Sequence, residues 1–89
     1  MNKFQATGAF VRHLRKKAYL SQSEFAEYFG VNPQFISNCE RGLCTLPLAR
    51  MKKAFKKLKI DDEDKMTLRE SLRIDYDNSV KQKIDKNLF

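Results

Sequence analysis

The sequence predicts an all-α protein: a compact domain of five helices whose last third is a C-terminal helical extension. Three observations predict it. Residues 20–42 carry start and stop signals for two short helices joined by a tight turn. Leu48, Met51, Phe55 and Leu58 recur at i, i+3, i+7 and i+10, the stripe of a core-facing helix. An acidic cluster, Asp61 to Asp64, then opens a stretch with an apolar residue every fourth position. Eighty-nine residues make one domain with a modest core. Residues 1–60 are its main body, and residues 61–89 are the extension.

The first helix is expected at 7–18, with Thr7 as its cap. Phe10, Val11 and Leu14 form its apolar stripe, and Gly8 weakens its first turn. Arg12, Arg15, Lys16 and Lys17 load its C-terminal end with positive charge, which suits the helix dipole. His13, alone on a polar face, reads as a surface residue.

The next two helices are expected at 22–29 and 33–41. Ser21 and Glu24 have the spacing of a capping box. Phe25 and Phe29 share one face, and small Ala26 lets another helix come close. Gly30 ends the helix, because a left-handed residue without Cβ is cheap there. Asn32 caps the following helix, and Pro33 suits its first turn. Val31 and Ile36 sit at staple spacing. After Gly42 comes an apolar loop, in which Leu43 and Leu46 are either core lids or part of a subunit contact.

Pro47 opens a helix over 47–58, whose other side is filled by Arg50, Lys52, Lys53, Lys56 and Lys57. In the extension, Leu68, Leu72, Tyr76, Val80, Ile84 and Leu88 repeat every four residues. On an ideal helix that stripe drifts by roughly 40° per step. A helix over 62–74 is therefore expected, then a break near 75–79 or a weaker second helix, since Asp75, Asp77, Asn78 and Ser79 are poor helix-interior residues.

The pattern Leu20-Ser21-Gln22-x-x-Phe25-Ala26-x-x-x-Gly30-Val31-Asn32-x-x-x-Ile36-Ser37-x-x-Glu40-x-Gly42 resembles the helix-turn-helix of the XRE family, which includes phage Cro and lambda-type repressors. The resemblance runs loosely from Phe10 to Ile60. It implies a lambda-repressor-like fold and binding to double-stranded DNA. It also implies that Arg15 pairs with Glu40, a match that physics favours because a partly buried Glu40 needs a partner and Arg can satisfy it with two bonds. The alternative is two solvated charges. Small members of the family use a fifth helix or tail to dimerise, which makes Leu72, Ile74, Tyr76, Val80 and Ile84 interface candidates. The competing reading is that these residues cover the monomer's own core.

Charge agrees with a polyanion partner. Residues 1–60 hold 12 Lys and Arg against 3 Asp and Glu, and residues 61–89 hold 6 against 8, within a whole-chain net of +7. Cys39 and Cys44 fit no zinc spacing and no Cys-x-x-Cys motif. Cys39 is expected in the core, and Cys44 in a loop. The composition points to a reducing cytoplasm, with no signal peptide and no membrane span. With one His, no clustered metal ligands and no Gly-rich phosphate loop, neither an enzyme nor a metal site nor a cofactor is expected.

A helix fits the major groove, and the side chains that reach base edges lie on its exposed N-terminal half. Here those are Pro33, Gln34, Ser37 and Asn38, with Phe35 set either against a thymine methyl or beside the protein's own core. Gln34 and Asn38 are four apart, roughly 6 Å along the axis, and their amides can pair with adenine. Gln22 begins a helix, where an anion is favoured, and the matching family glutamine contacts phosphate. Arg41 matches a family position that often touches the backbone. Ser21, Arg12, Lys16 and Lys17 are weaker phosphate candidates. Pro33 departs from phage members that place a base-contacting side chain there, so their base code does not transfer. A chain this small needs a homodimer on an inverted repeat to bind specifically. The leading reading is a repressor. The alternatives are a small activator, such as a restriction–modification controller, an antitoxin whose extension binds a protein partner, and an interaction module in which the motif is only structural.

Overall fold

The computed structural model describes residues 3–88, with side chains described for 3–47 and 49–80. Five helices follow one another: α1 Gln5–Lys17, α2 Gln22–Phe29, α3 Pro33–Glu40, α4 Leu48–Lys57 and α5 Asp62–Leu88. No strand occurs among the described residues, and the helices gather round one core in the all-α, lambda-repressor-like arrangement.

Helix ends set the path of the chain. Four helices stop on a left-handed residue: Tyr19 (φ 58°), Gly30 (φ 65°), Gly42 (φ 81°) and Lys59 (φ 56°). The N–H that follows each one reaches back, Leu20 to Arg15 O, Val31 to Ala26 O, Leu43 to Asn38 O and Ile60 to Phe55 O. Leu20, Val31 and Ile60 then turn inward onto the core. Gly30 and Gly42 adopt this conformation freely. Tyr19 and Lys59 bear roughly 1–2 kcal/mol of strain each, offset by the apolar residue that each turn buries.

The core is aromatic at its centre. Phe25 and Phe29 lie 5.0 Å apart between ring centroids, and Phe29 meets Phe55 edge-on at 6.1 Å. Val11, Leu14, Ile36 and Leu46 complete it, all essentially sealed from solvent. Burying each of these side chains is worth about 1.5–3 kcal/mol. Leu46 is thus the lid of the apolar loop, whereas Leu43 is exposed. Cys39 is in the core, and its thiol lies 3.3 Å from that of Cys44. Both cysteines are free, and burial pushes the Cys39 thiol well above its ordinary range.

Two expectations are corrected. The first helix begins at Gln5, not at residue 7, and Thr7 is not its cap: Phe4 is the cap residue and makes no side-chain capping bond. Thr7 is buried inside the first turn. The missing cap comes from the far end of the chain. Asp75 accepts from the N–H of Ala6 (3.0 Å), the N–H of Thr7 (2.9 Å) and the Thr7 hydroxyl (2.5 Å). The expected break near 75–79 is also absent, and α5 runs through it. Asp75 does not compete with its own backbone because its carboxylate is held by α1. Arg73 is bonded to both Glu70 and Asp77, one turn to either side of it.

The expected drift of the apolar stripe is visible in α5. Leu68 is buried at 5% exposure, Leu72 is half-buried, and Tyr76 is 69% exposed. The face that actually packs inward is Asp64, Leu68, Ser71 and Asp75, at heptad-like spacing. Ile74 and Tyr76 face solvent, and Val80 is half-buried. Ile84 lies outside the described side chains.

Candidate nucleic-acid interface

α2 and α3 form the expected helix-turn-helix, and local sequence fixes both starts. The Ser21 hydroxyl accepts from the Glu24 N–H at 3.1 Å, and the Glu24 carboxylate accepts from the Ser21 N–H at 2.9 Å. This pairing holds the Glu24 carboxyl below its ordinary range. Asn32 Oδ1 accepts from the Phe35 N–H at 2.8 Å, and Pro33 occupies the first turn of α3. Between the helices, Gly30 makes the left-handed bend.

α3 has one sealed side and one open side. Ile36 and Cys39 are fully buried. Pro33, Gln34 and Arg41 are exposed, and Ser37 and Asn38 are half-exposed beside them. Phe35 is half-buried and packs on the core beside this strip. Along the open side a polar chain forms. Gln34 Nε2 donates to Asn38 Oδ1 at 3.1 Å, and Arg41 Nη2 donates to the same oxygen at 2.7 Å. The residues expected to read bases are therefore joined to one that was expected at the phosphates.

The C-terminal end of α3 is clamped from behind. Arg15 donates twice to Glu40, Nε to Oε2 at 2.8 Å and Nη2 to Oε1 at 3.0 Å, and its Nη1 reaches the Leu20 carbonyl at 2.9 Å. Both side chains are largely buried, and the bond to Glu40 raises the Arg15 pKa. Gly8 is where α1 crosses this end. A Cβ there would lie 2.4 Å from Cys39 O and 2.9 Å from Glu40 O, so the glycine serves close approach, beyond its effect on helix propensity.

The other expected phosphate contacts scatter in environment. Gln22 is half-buried at the start of α2, Ser21 is committed to its cap, and Arg12 and Lys16 are exposed on α1. Lys17 is tied to Asp64 at 2.9 Å, which raises its pKa and directs its charge toward α5. Arg50 was grouped with the lysines of α4 by sequence but has a distinct task. Its Nη1 donates to Phe29 O at 3.1 Å and to Gly30 O at 2.6 Å. It thereby closes the end of α2 just where the turn begins. A signal existed: α2 has no basic residue in its last turn, so its carbonyls needed a donor from elsewhere.

Among the described residues no cluster of His, Cys, Asp or Glu could hold a metal ion, and no helix is long and apolar enough to cross a membrane.

Comparison with known proteins agrees with this geometry. A family model described as helix-turn-helix matches residues 11–64. No curated protein matches the sequence. The structure is similar to that of the clp gene regulator ClgR from Corynebacterium glutamicum, with a TM-score of 0.63 and 20% identity over 99% of this chain and 92% of that one. At that identity the likeness concerns the fold.

Proposed function

This chain belongs to the XRE-type helix-turn-helix family of DNA-binding proteins, and from that premise we propose that it represses transcription by seating α3 in the major groove of an operator. The observation that carries the reading is the two-sided character of α3, with Ile36 and Cys39 sealed against the core while Gln34 and Asn38 point outward. Amides on an open helix edge can pair with base edges, and α3 is short enough to enter the groove end-on. Gln22, at the positive end of α2, suits a phosphate, and Arg12 and Lys16 add to a basic flank. The regulator role of ClgR is in keeping with gene control.

A homodimer on an inverted repeat completes the proposal, with exposed Ile74 and Tyr76 on α5 as its contact residues. The test has two arms. In vitro selection from random duplexes should return a two-fold symmetric site, bound with an affinity that falls steeply with salt. Sedimentation should show a dimer that Ile74→Asp with Tyr76→Asp converts to a folded monomer. Failure to bind any duplex at low ionic strength refutes DNA recognition, and an unchanged sedimentation coefficient refutes only the interface.

A further inference from the structure

From the Gln34–Asn38–Arg41 chain we infer that Arg41 is a positioning residue that fixes the hydrogen-bonding polarity of Asn38, making it a donor-only reader of bases. The inference rests on the proposal that α3 enters a DNA groove, and it replaces the phosphate role expected for Arg41.

An asparagine carbonyl oxygen has two acceptor sites, and its amide nitrogen has two N–H donors. Asn38 Oδ1 already accepts twice, from Gln34 Nε2 at 3.1 Å and from Arg41 Nη2 at 2.7 Å. The Arg41 bond is short and charge-assisted, which makes it the stronger of the two. Pairing with adenine requires one amide to accept from N6 while donating to N7. Asn38 has no acceptor left for N6. What it presents is an –NH₂ group, which matches a base edge made of acceptors: the N7 and O6 of guanine, or the O4 of thymine. Gln34 spends one of its two N–H donors on the chain and keeps the other together with its carbonyl oxygen, so it can still donate and accept. Two neighbouring amides that look equivalent in sequence thus differ in polarity: Asn38 only donates, and Gln34 keeps both capacities.

The geometry also explains why Arg41 rather than another cation does this. It is the residue directly after α3, three positions from Asn38, and its own N–H bonds to Ser37 O. The guanidinium therefore folds back over the last turn of α3.

The experiment is in vitro selection with the full chain and three variants, Asn38→Ala, Arg41→Met and Arg41→Lys, each verified as folded by circular dichroism. Asn38→Ala identifies the base pair that this residue reads. At that pair the parent should select guanine or thymine on the strand facing Asn38. Arg41→Met should erode that preference by about tenfold, the scale of a single amide–base pairing, while other positions keep theirs. Arg41→Lys, which retains a donor, should restore it. If Arg41→Met weakens all sequences alike, or changes nothing, the positioning role is wrong although DNA recognition stands. Selection of adenine opposite Asn38 overturns the polarity itself. A parent that selects no duplex removes the reading beneath both.

Discussion

Asp75→Ala should destabilise the fold strongly although it changes a charged residue of α5. The side chain accepts three hydrogen bonds from the first turn of α1. The Thr7 N–H and hydroxyl are buried, whereas the Ala6 N–H is only partly so. Leaving a buried donor unsatisfied costs about 1–3 kcal/mol, with bonds to charged groups at the upper end. Water can reach Ala6, and removal of the carboxylate relieves its own desolvation. The net loss is about 3 kcal/mol, against a total of roughly 4–13 kcal/mol for a chain of this length. In a domain this small that lowers Tm by about 15 °C. Asp75→Asn keeps an acceptor but sets an –NH₂ against an N–H, and should lose about half as much. Asp77→Ala is the control. Asp77 is exposed and bonds to Arg73, so its loss should stay below about 0.5 kcal/mol. Urea unfolding followed by circular dichroism measures all three. If Asp75→Ala stays within about 0.5 kcal/mol of the parent, the long-range cap is not holding α1.

Gly8→Ala tests close approach against propensity. Propensity alone predicts a gain of about 1 kcal/mol, but a Cβ 2.4 Å from Cys39 O must push α1 off α3, so a loss of about 2 kcal/mol or more is expected in the same unfolding assay. Arg50→Ala should loosen the end of α2, and faster amide exchange at Gly30 and Val31 than in the parent would register it. Glu24 should titrate below the usual glutamate range by NMR. Its pKa is lowered in the folded state, so its contribution to stability is present above the ordinary glutamate value and is lost as pH falls through the lowered one. Cys44 should react with an alkylating reagent in the native protein, whereas Cys39, buried and with its thiol pKa raised, should react only on unfolding.

What the sequence made legible is what is local. The capping box of Ser21 and Glu24, the Gly30 bend, the Asn32 cap and the Pro33 start each act within four residues, and each is present. The Arg15–Glu40 pair spans 25 positions, yet it was legible through the family resemblance. Illegible were the contacts in which one element completes another. Arg50 looked like one more cation until the carbonyls of Phe29 and Gly30 stood beside it. Gly8 looked like a weak helix residue until α3 lay across it. The inward face of α5 was missed because hydrophobic periodicity tracks apolar side chains, and that face is half carboxylate. Asp64 meets Lys17, and Asp75 meets Thr7. Each Asp has a partner on α1, and no scan of α5 alone could reveal it.

Those same contacts bear on how the tail should be interpreted. α5 holds the start of α1 through Asp75, and α1 in turn holds the end of α3. The Phe4 N–H bonds to Gly42 O at 3.0 Å, Gly8 admits the α3 backbone, and Arg15 clamps Glu40. Arg41 and Asn38 stand at that end of α3. Deleting everything after Ile60 would therefore remove a support of the recognition helix, whatever else it removes. Loss of DNA binding in such a truncation cannot by itself indicate a dimer. Asp75→Asn separates the two roles, because it loosens α1 while leaving Ile74 and Tyr76 exposed and unaltered. If it lowers affinity for DNA with the sedimentation coefficient unchanged, α5 acts as a buttress. If affinity follows only Ile74→Asp with Tyr76→Asp, the outer face of α5 acts through a second copy of the chain.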